Sequence, residues 1–518
     1  MKKKTAKGMM FTAVFMAFAT LISKVLGLVR DSMLTAYFGS GMESDAFLTA
    51  SSIPTQLFDV VIGGVISATF IPVFNSIMEK KSKDEAMRFV NKFVTLILLI
   101  SIAVSILGII FASPLVSLQT HYTGDKHILA ARLTAIMFPM IIFTGLAFSF
   151  VGLLQSFGEY NVPAIISLVS NAAIILYYVV FGKHFGVYGL AVTMIIAWSL
   201  QLIIQIPWLI KFGVRYRPDF RFRDDSIRQT IRLAGPMLIS TWVQPLYTLI
   251  NQRLASNAES AVTYIQQSSR LYIIVTGVFS FVVTNLVFPK LAKAVAKNNK
   301  EEAQSLIVTS LKMIFLVILP IMAVFMAAAV PIANVMYGHG KMSGEGVREI
   351  GKLLSLYSLG MLALAANEVL SKAFFSMQDS KPPMRNSIIS MIVNIALAYI
   401  LYHFMSTPGL ALATVGGSIT NALLNYVCMA RKHPGMFKRE DRISLVKIAL
   451  CGVIMCTVMF ASFALITSKI DTSSIIGSLI AVAVCGGISL VVFLALCFIL
   501  KIDVLVDLIK NLKGGEKA

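Results

Sequence analysis

Apolar stretches of membrane-crossing length recur from Met9 to Leu500, and no polar segment between them is long enough to fold as a large soluble domain. A helix needs about 20 apolar residues, each rising 1.5 Å, to cross the hydrocarbon of a bilayer. With 57% of its 518 residues hydrophobic and 14% charged, the chain has too little polar surface to enclose this inventory in water. Lipid is its natural solvent. The first run, Met9 to Val29, follows Lys2, Lys3, Lys4 and Lys7 and so imitates a secretory signal. It contains Lys24, however, and no small-residue cleavage site follows it, which reads as a retained first helix.

Fourteen spans are expected: 9–36, 46–76, 90–116, 131–156, 162–182, 187–210, 233–255, 262–289, 305–336, 350–376, 386–404, 409–429, 445–467 and 474–500. Alternate loops then sort by charge. The N-terminus, 77–89, 211–232, 290–304, 377–385, 430–447 and the C-terminus carry about 30 of the 45 Lys and Arg. Such an excess marks the cytoplasmic face, which places both termini in the cytoplasm. The net charge of +20 is thereby accounted for, and no nucleic-acid partner is expected. The five cysteines, from Cys428 to Cys497, lie in apolar segments without metal-ligand spacing and read as small core or lipid-facing residues.

Two diverged copies of one unit are offset by 217 to 223 residues. Ile66–Phe74 parallels Val283–Leu291, Lys83-Asp84-Glu85-Ala86 parallels Lys300-Glu301-Glu302-Ala303, and Gln155 parallels Gln378. Ser167–Ala173 parallels Ser390–Ala396, and Gly189-Leu190-Ala191 parallels Gly409-Leu410-Ala411. Each copy holds six spans. Six is even, so the copies face the same way, and two such bundles suit alternating access. The expected organisation is a lobe over 1–215, a second over 216–440, and an added helix pair over 441–518.

Ionisable residues inside a span cost about 3 kcal/mol, so they face a polar interior or reach for an interface. Lys24 lies about 15 residues into the first helix, roughly 22 Å along it. Arg30 and Asp31 follow, Asp45 opens the second helix, and Arg270 falls in the outer half of the eighth. Lys24, Arg30 and Arg270 together would make a cationic pocket suited to a pyrophosphate headgroup, since arginine grips phosphate through paired hydrogen bonds. The competing reading has Arg30 snorkelling outward and Lys24 paired with Asp31, seven residues on and on nearly the same face. Asn251, Asn367 and Glu368 are candidate coupling or gating residues. Glu368 has a plainer reading as the i,i+4 partner of Lys372. The sequence holds no Gly-x-x-x-x-Gly-Lys-Ser/Thr loop and no His-Glu-x-x-His, so neither an ATPase nor a metalloenzyme is expected.

The stretch Ser23-Lys24-Val25-Leu26-Gly27-Leu28-Val29-Arg30-Asp31, then Phe38-Gly39 and Ser44-Asp45-Ala46-Phe47, resembles the MurJ (MviN) lipid II flippases of the MOP exporter superfamily. Ala234-Gly235-Pro236, Ser269-Arg270-Leu271 and Phe374–Asp379 continue the resemblance in order. It implies an all-α polytopic fold of about 14 helices, with two six-helix lobes in a V and two C-terminal helices forming a groove for a polyprenyl tail. It also implies movement of lipid II, the undecaprenyl-pyrophosphate-linked peptidoglycan precursor, from the inner to the outer leaflet. The substrate-binding residues it implies are Lys24, Arg30, Asp31, Asp45 and Arg270. No cofactor is implied beyond coupling to a monovalent cation or the membrane potential; expected partners are lipid II, bilayer lipids and peptidoglycan synthases. The chain departs from the family pattern at Phe58 and Gly63, where an arginine and a glutamate are usual, and it has Lys24 where arginine is usual. The alternatives are a flippase for another undecaprenyl-pyrophosphate-linked glycan and a cation-coupled multidrug exporter.

Overall fold

The computed structural model describes residues 6–63, 66–232, 243–472 and 474–505, and every regular element among them is helical. Lipid enforces this, because a backbone without water must satisfy its polar groups internally. The chain divides into two compact units, Met1–Thr263 and Tyr264–Ala518.

In the first unit, α1 (Ala6–Phe38) is followed by α2 (Met42–Phe58), which contains Pro54. Proline removes a ladder donor and crowds the preceding turn. Beyond it the helix widens into π-turns at Asp59–Gly63 and Ile66–Phe70 before α3 (Ile71–Lys80), so the expected span 46–76 is interrupted rather than continuous. Phe70 stabilises this irregular stretch by packing against Phe74, Phe89 and Phe93 at 4.9–5.8 Å between ring centroids. The helix α4 (Lys83–Ile110) starts where Ser82 accepts from the Glu85 amide, with Asp84 and Glu85 favoured by the helix dipole. It breaks at Phe111 and continues as α5 (Ala112–Gln119). Next come α6 (Gly124–Met137) and α7 (Met140–Ser156), bent by 41° at Pro139. Gly108 faces this bend, and a Cβ there would stand 2.0 Å from the Phe138 ring. The unit continues through α8 (Asn161–Val180), α9 (Gly182–Ile203), α10 (Ile206–Lys211), α11 over 225–232, α12 (Val243–Ala255) and the first turn of α13 (Ala261–Ala296).

The second unit holds the rest of α13, then α14 (Lys300–Ala327), α15 (Ala329–Tyr337), α16 (Gly344–Ser358) and α17 (Met361–Ser376). It ends with α18 (Lys381–Met405), α19 (Thr407–Lys432), α20 (Arg439–Thr467) and α21 (Ile475–Ile499). The break between α14 and α15 falls at Ala328, 217 positions after Phe111, the offset at which the two sequence copies begin. The bend of 46° between α16 and α17 likewise matches that between α6 and α7. A core of Leu319, Ala323, Ile448, Cys451, Met455, Phe493 and Cys497 joins α14, α20 and α21.

Polar ties fasten that helix pair at both ends. Lys312 of α14, 5% exposed, meets Asp441 in the first turn of α20 at 2.9 Å and Asp503, just past α21, at 2.5 Å. At the other end, Asn334 of α15 donates to the Thr472 carbonyl at 3.2 Å and to Ser478 Oγ at 3.1 Å.

Nine helices among the described residues are long and apolar enough to cross a membrane, or up to eleven counting each bent pair as one. At 33 and 36 residues, α1 and α13 run about 50 and 54 Å, also beyond the roughly 30 Å of bilayer hydrocarbon. The expected span 233–255 is seen from Val243 onward; its first part, with Ala234-Gly235-Pro236, lies outside the described residues.

Candidate functional site

The charges of α1 are organised by an asparagine on α8. Arg30 donates from Nε (3.0 Å) and Nη2 (2.8 Å) to Asp31 Oδ1 and from Nη1 to Asn171 Oδ1 at 3.1 Å. Asn171 in turn donates from Nδ2 to the Ser23 carbonyl at 3.1 Å. A carboxamide supplies both an acceptor and a donor, so one side chain can fix α1 to α8 and aim the guanidinium. Arg30 is thus turned toward α8 and retains 28% side-chain exposure, whereas Asp31 is nearly enclosed. Lys24 is half-buried on the same helix, one residue past the bonded Ser23 carbonyl.

Asp45 has a different setting. It is fully enclosed, with Oδ2 accepting from Lys126 Nζ at 2.6 Å and Oδ1 from the Thr263 amide at 2.9 Å and hydroxyl at 2.5 Å. The first amides of a helix lack internal partners and favour negative charge, so α2 caps the start of α13. Lys126 sits in the first turn of α6, where a cation is disfavoured by the dipole. Asp45 and the face of Tyr122, 4.3 Å away, offset that cost. Burial, then the Asp45 charge, push the Tyr122 phenol up and keep it neutral.

A mirror-image arrangement closes the end of α5. Arg253 of α12 donates from Nη1 to the carbonyls of Ser117 and Leu118, both at 2.7 Å, in the last turn of α5. Ser256 accepts from the His121 amide at 2.8 Å. Beneath lies a buried polar layer: Gln119 donates to Gln252 and to Ser52 Oγ (2.8 Å), and Gln252 donates to Thr49 Oγ1 at 3.3 Å. Asn251, buried on α12, directly precedes Gln252 in the chain. Sequence reading missed Lys126, Gln119, Gln252 and Thr263, because nothing local distinguishes a polar residue that pairs 80 or more positions away. Asn171 did carry a signal, its correspondence to Asn394 in the repeat.

The remaining candidates lie in the second unit. Arg270 of α13 donates to Gln266 Oε1 at 3.3 Å, one turn back. Glu368 pairs with Lys372 at 3.0 Å, the plainer of its two sequence readings. Asn367 accepts from Asn425 at 2.7 Å, within an asparagine cluster that includes Asn386 and Asn421. Phe58 is buried at the end of α2, while Asp59 and Gly63 lie in the first π-turn. No group of three His, Cys, Asp or Glu suited to a metal occurs among the described residues.

Helices in this order, with charges inside their spans and polar ties at their ends, define a multi-pass membrane transporter with the MOP-superfamily fold. A solved multidrug-resistance MATE transporter of that superfamily, inward-facing, superimposes with a TM-score of 0.66 over 84% of this chain and 99% of its own, at 15% identity. The chain belongs to the family described as lipid II flippase MurJ, whose model matches residues 34–485. It is 26% identical to the probable lipid II flippase MurJ of Buchnera aphidicola subsp. Acyrthosiphon pisum (strain APS), over 85% of this chain and 88% of that one. It is also 26% identical to the lipid II flippase MurJ of Burkholderia cenocepacia, over 85% and 89%. A solved lipid II flippase MurJ in an inward closed conformation gives a TM-score of 0.79 at 24% identity, covering 93% of this chain and 98% of the other. The family is one of transporters, not of catalytic enzymes.

Proposed function

We propose that this protein moves lipid II from the inner to the outer leaflet of the bacterial cytoplasmic membrane by alternating access. The observation that carries the reading is the family match across 34–485 together with likeness in fold to a lipid II flippase over nearly the whole chain. The charges support it. Lys24 and Arg30 on α1 are cations for an undecaprenyl pyrophosphate, Arg270 on α13 is a further candidate, and Asn171 holds the Arg30 guanidinium against α8. Asp31 sets the orientation of Arg30. Asp45 acts by fastening α13 to α2, since its carboxylate is committed to Lys126 and Thr263.

With both termini cytoplasmic, the turns after α5 and before α13 face outward. The ties made there by Asp45, Lys126, Gln119, Gln252 and Arg253 then act as an outer gate in its closed state, and release of cargo requires them to part. The energy is drawn from the membrane potential or a monovalent cation; one charge moved through 100 mV is worth about 2.3 kcal/mol. Asn251, Asn367 and Glu368 are the polar groups through which coupling would be read. Peptidoglycan synthases are the expected consumers of the product.

The test is rescue of cells depleted of their own lipid II flippase. Wild type should restore growth and shape, while Lys24→Ala and Arg270→Ala should insert normally and fail. A wild-type protein that inserts but gives no rescue would remove lipid II as the cargo. Full rescue by both variants would remove the cationic site.

A further inference from the structure

An apolar cleft lies in the second unit, beside the helix that carries Lys312. It has a volume of about 610 Å³ and runs between α14, α17, α19 and α20. Leu311, Ala366 and Leu370 form a buried floor, whereas Ile419, Leu423 and Val446 are 40%, 58% and 58% exposed along it. Arg442, Leu445, Val446 and Ala449 of α20 line it and no residue of α21 does, so the cleft lies between α20 and the body of the second unit and not between the two helices of the C-terminal pair, where the family resemblance assigns a polyprenyl tail. Its lining is aliphatic apart from Phe315 and, at one end, Arg442 and Tyr426.

That end is the informative one. Arg442 lies in the first turn of α20, and its Nε donates to the Phe437 carbonyl at 3.2 Å. Its terminal amino groups make no hydrogen bond among the described residues. The preceding turn is held in place by Tyr426 against Phe437, 4.6 Å between ring centroids. Lys438 and Arg439 flank the same turn, within the basic loop 430–447. From Arg442 to Ala449 the cleft descends about 10 Å along α20, and from Leu359 to Leu370 about 16 Å along α17. Those lengths match one leaflet of hydrocarbon, about 15 Å deep. The volume lies within the range of small-molecule sites, roughly 300–1,000 Å³.

We propose that this cleft is a binding site for an anionic phospholipid of the inner leaflet, with an acyl chain between α17, α19 and α20 and its phosphate on Arg442. An aliphatic trough inside a bilayer is filled by a lipid chain, and a guanidinium with unused donors at the level of the headgroups selects negative charge. The site rests on the orientation given above, which puts the start of α20 at the cytoplasmic surface. Occupancy would brace α20 against α17 and α19, and so hold the C-terminal pair to the body of the second unit.

The test uses the purified full-length protein in mild detergent, with native mass spectrometry after addition of phosphatidylglycerol or phosphatidylcholine. The expected result is one retained phosphatidylglycerol, favoured about fivefold over phosphatidylcholine. Arg442→Gln should abolish that preference, and Ala422→Trp, which fills the trough, should abolish the adduct; both proteins should melt cooperatively. Equal retention of the two lipids by wild type would overturn the site. So would a preference untouched by Arg442→Gln, an adduct that survives Ala422→Trp, or displacement of the phospholipid by undecaprenyl phosphate. None of these readouts involves transport, so they stand or fall separately from the rescue experiment.

Discussion

Asp45 closes the first turn of α13 from another helix: a single carboxylate oxygen accepts from both the amide and the hydroxyl of Thr263, at 2.9 and 2.5 Å. The other oxygen holds Lys126 at 2.6 Å. Removing one member of an enclosed charge pair is far more costly than removing both, because the survivor loses its solvent and its partner together. Asp45→Ala should therefore destabilise the protein by on the order of 3 kcal/mol, measured by thermal unfolding in detergent. Asp45→Ala with Lys126→Met should recover part of that loss. A double variant less stable than Asp45→Ala alone would contradict the pairing.

Arg30 and Asn171 should separate aim from charge. Arg30→Ala removes the cation and is expected to abolish rescue. Asn171→Ala leaves the cation but frees it from α8, losing hydrogen bonds each worth about 1 kcal/mol, and should reduce rescue without abolishing it. If Asn171→Ala lowers thermal stability with rescue intact, the asparagine merely joins two helices.

The loop between α10 and α11 carries a pH-dependent anchor. Burial pushes the Asp224 carboxyl up, but Lys92 of α4 and the Ser226 hydroxyl and amide outweigh it and bring it to about 2, below its ordinary 3.8. A carboxyl whose folded value is depressed contributes stability that is complete above its unfolded value and fades as pH falls from there through the folded one. The melting difference between wild type and Asp224→Asn should be constant from pH 7 to 5 and shrink below pH 4. A difference that stays constant down to pH 3 would rule the anchor out.

Gly351 sets how closely α16 crosses α15. A Cβ there would stand 2.7 Å from the Val330 Cα, a backbone atom that cannot rotate away. Gly351→Ala should cost about 1–3 kcal/mol. Gly487→Ala, with open space at its Cβ position, should stay within about 0.5 kcal/mol of wild type. Equal melting temperatures for the two variants would contradict the crossing.

The helices were the legible part of this chain. Expected spans at 162–182 and 474–500 became α8 (Asn161–Val180) and α21 (Ile475–Ile499), because lipid leaves an apolar run little choice but to coil. Interruptions inside spans were less legible. Pro54 hinted at the π-turns that follow it, and the breaks at Phe111 and Ala328 are each followed three residues on by a proline, Pro114 and Pro331, which stand 217 positions apart in the two copies. The charges of α1 were readable as unusual, since an ionisable residue amid leucine and valine stands out. What they touch was not. Lys126 reaches Asp45 across 81 positions, and the layer around Gln252 joins residues that are neighbours only after the helices have packed.

The ties at Lys312 and Asn334 have a mechanical meaning. They grip α20 and α21 near both ends, and the apolar core of Leu319, Ile448, Met455 and Phe493 fills the length between. A lever clamped at two points cannot pivot on its own. The C-terminal pair must ride with α14 and α15 as one rigid body, so any motion of that body carries both helices with it.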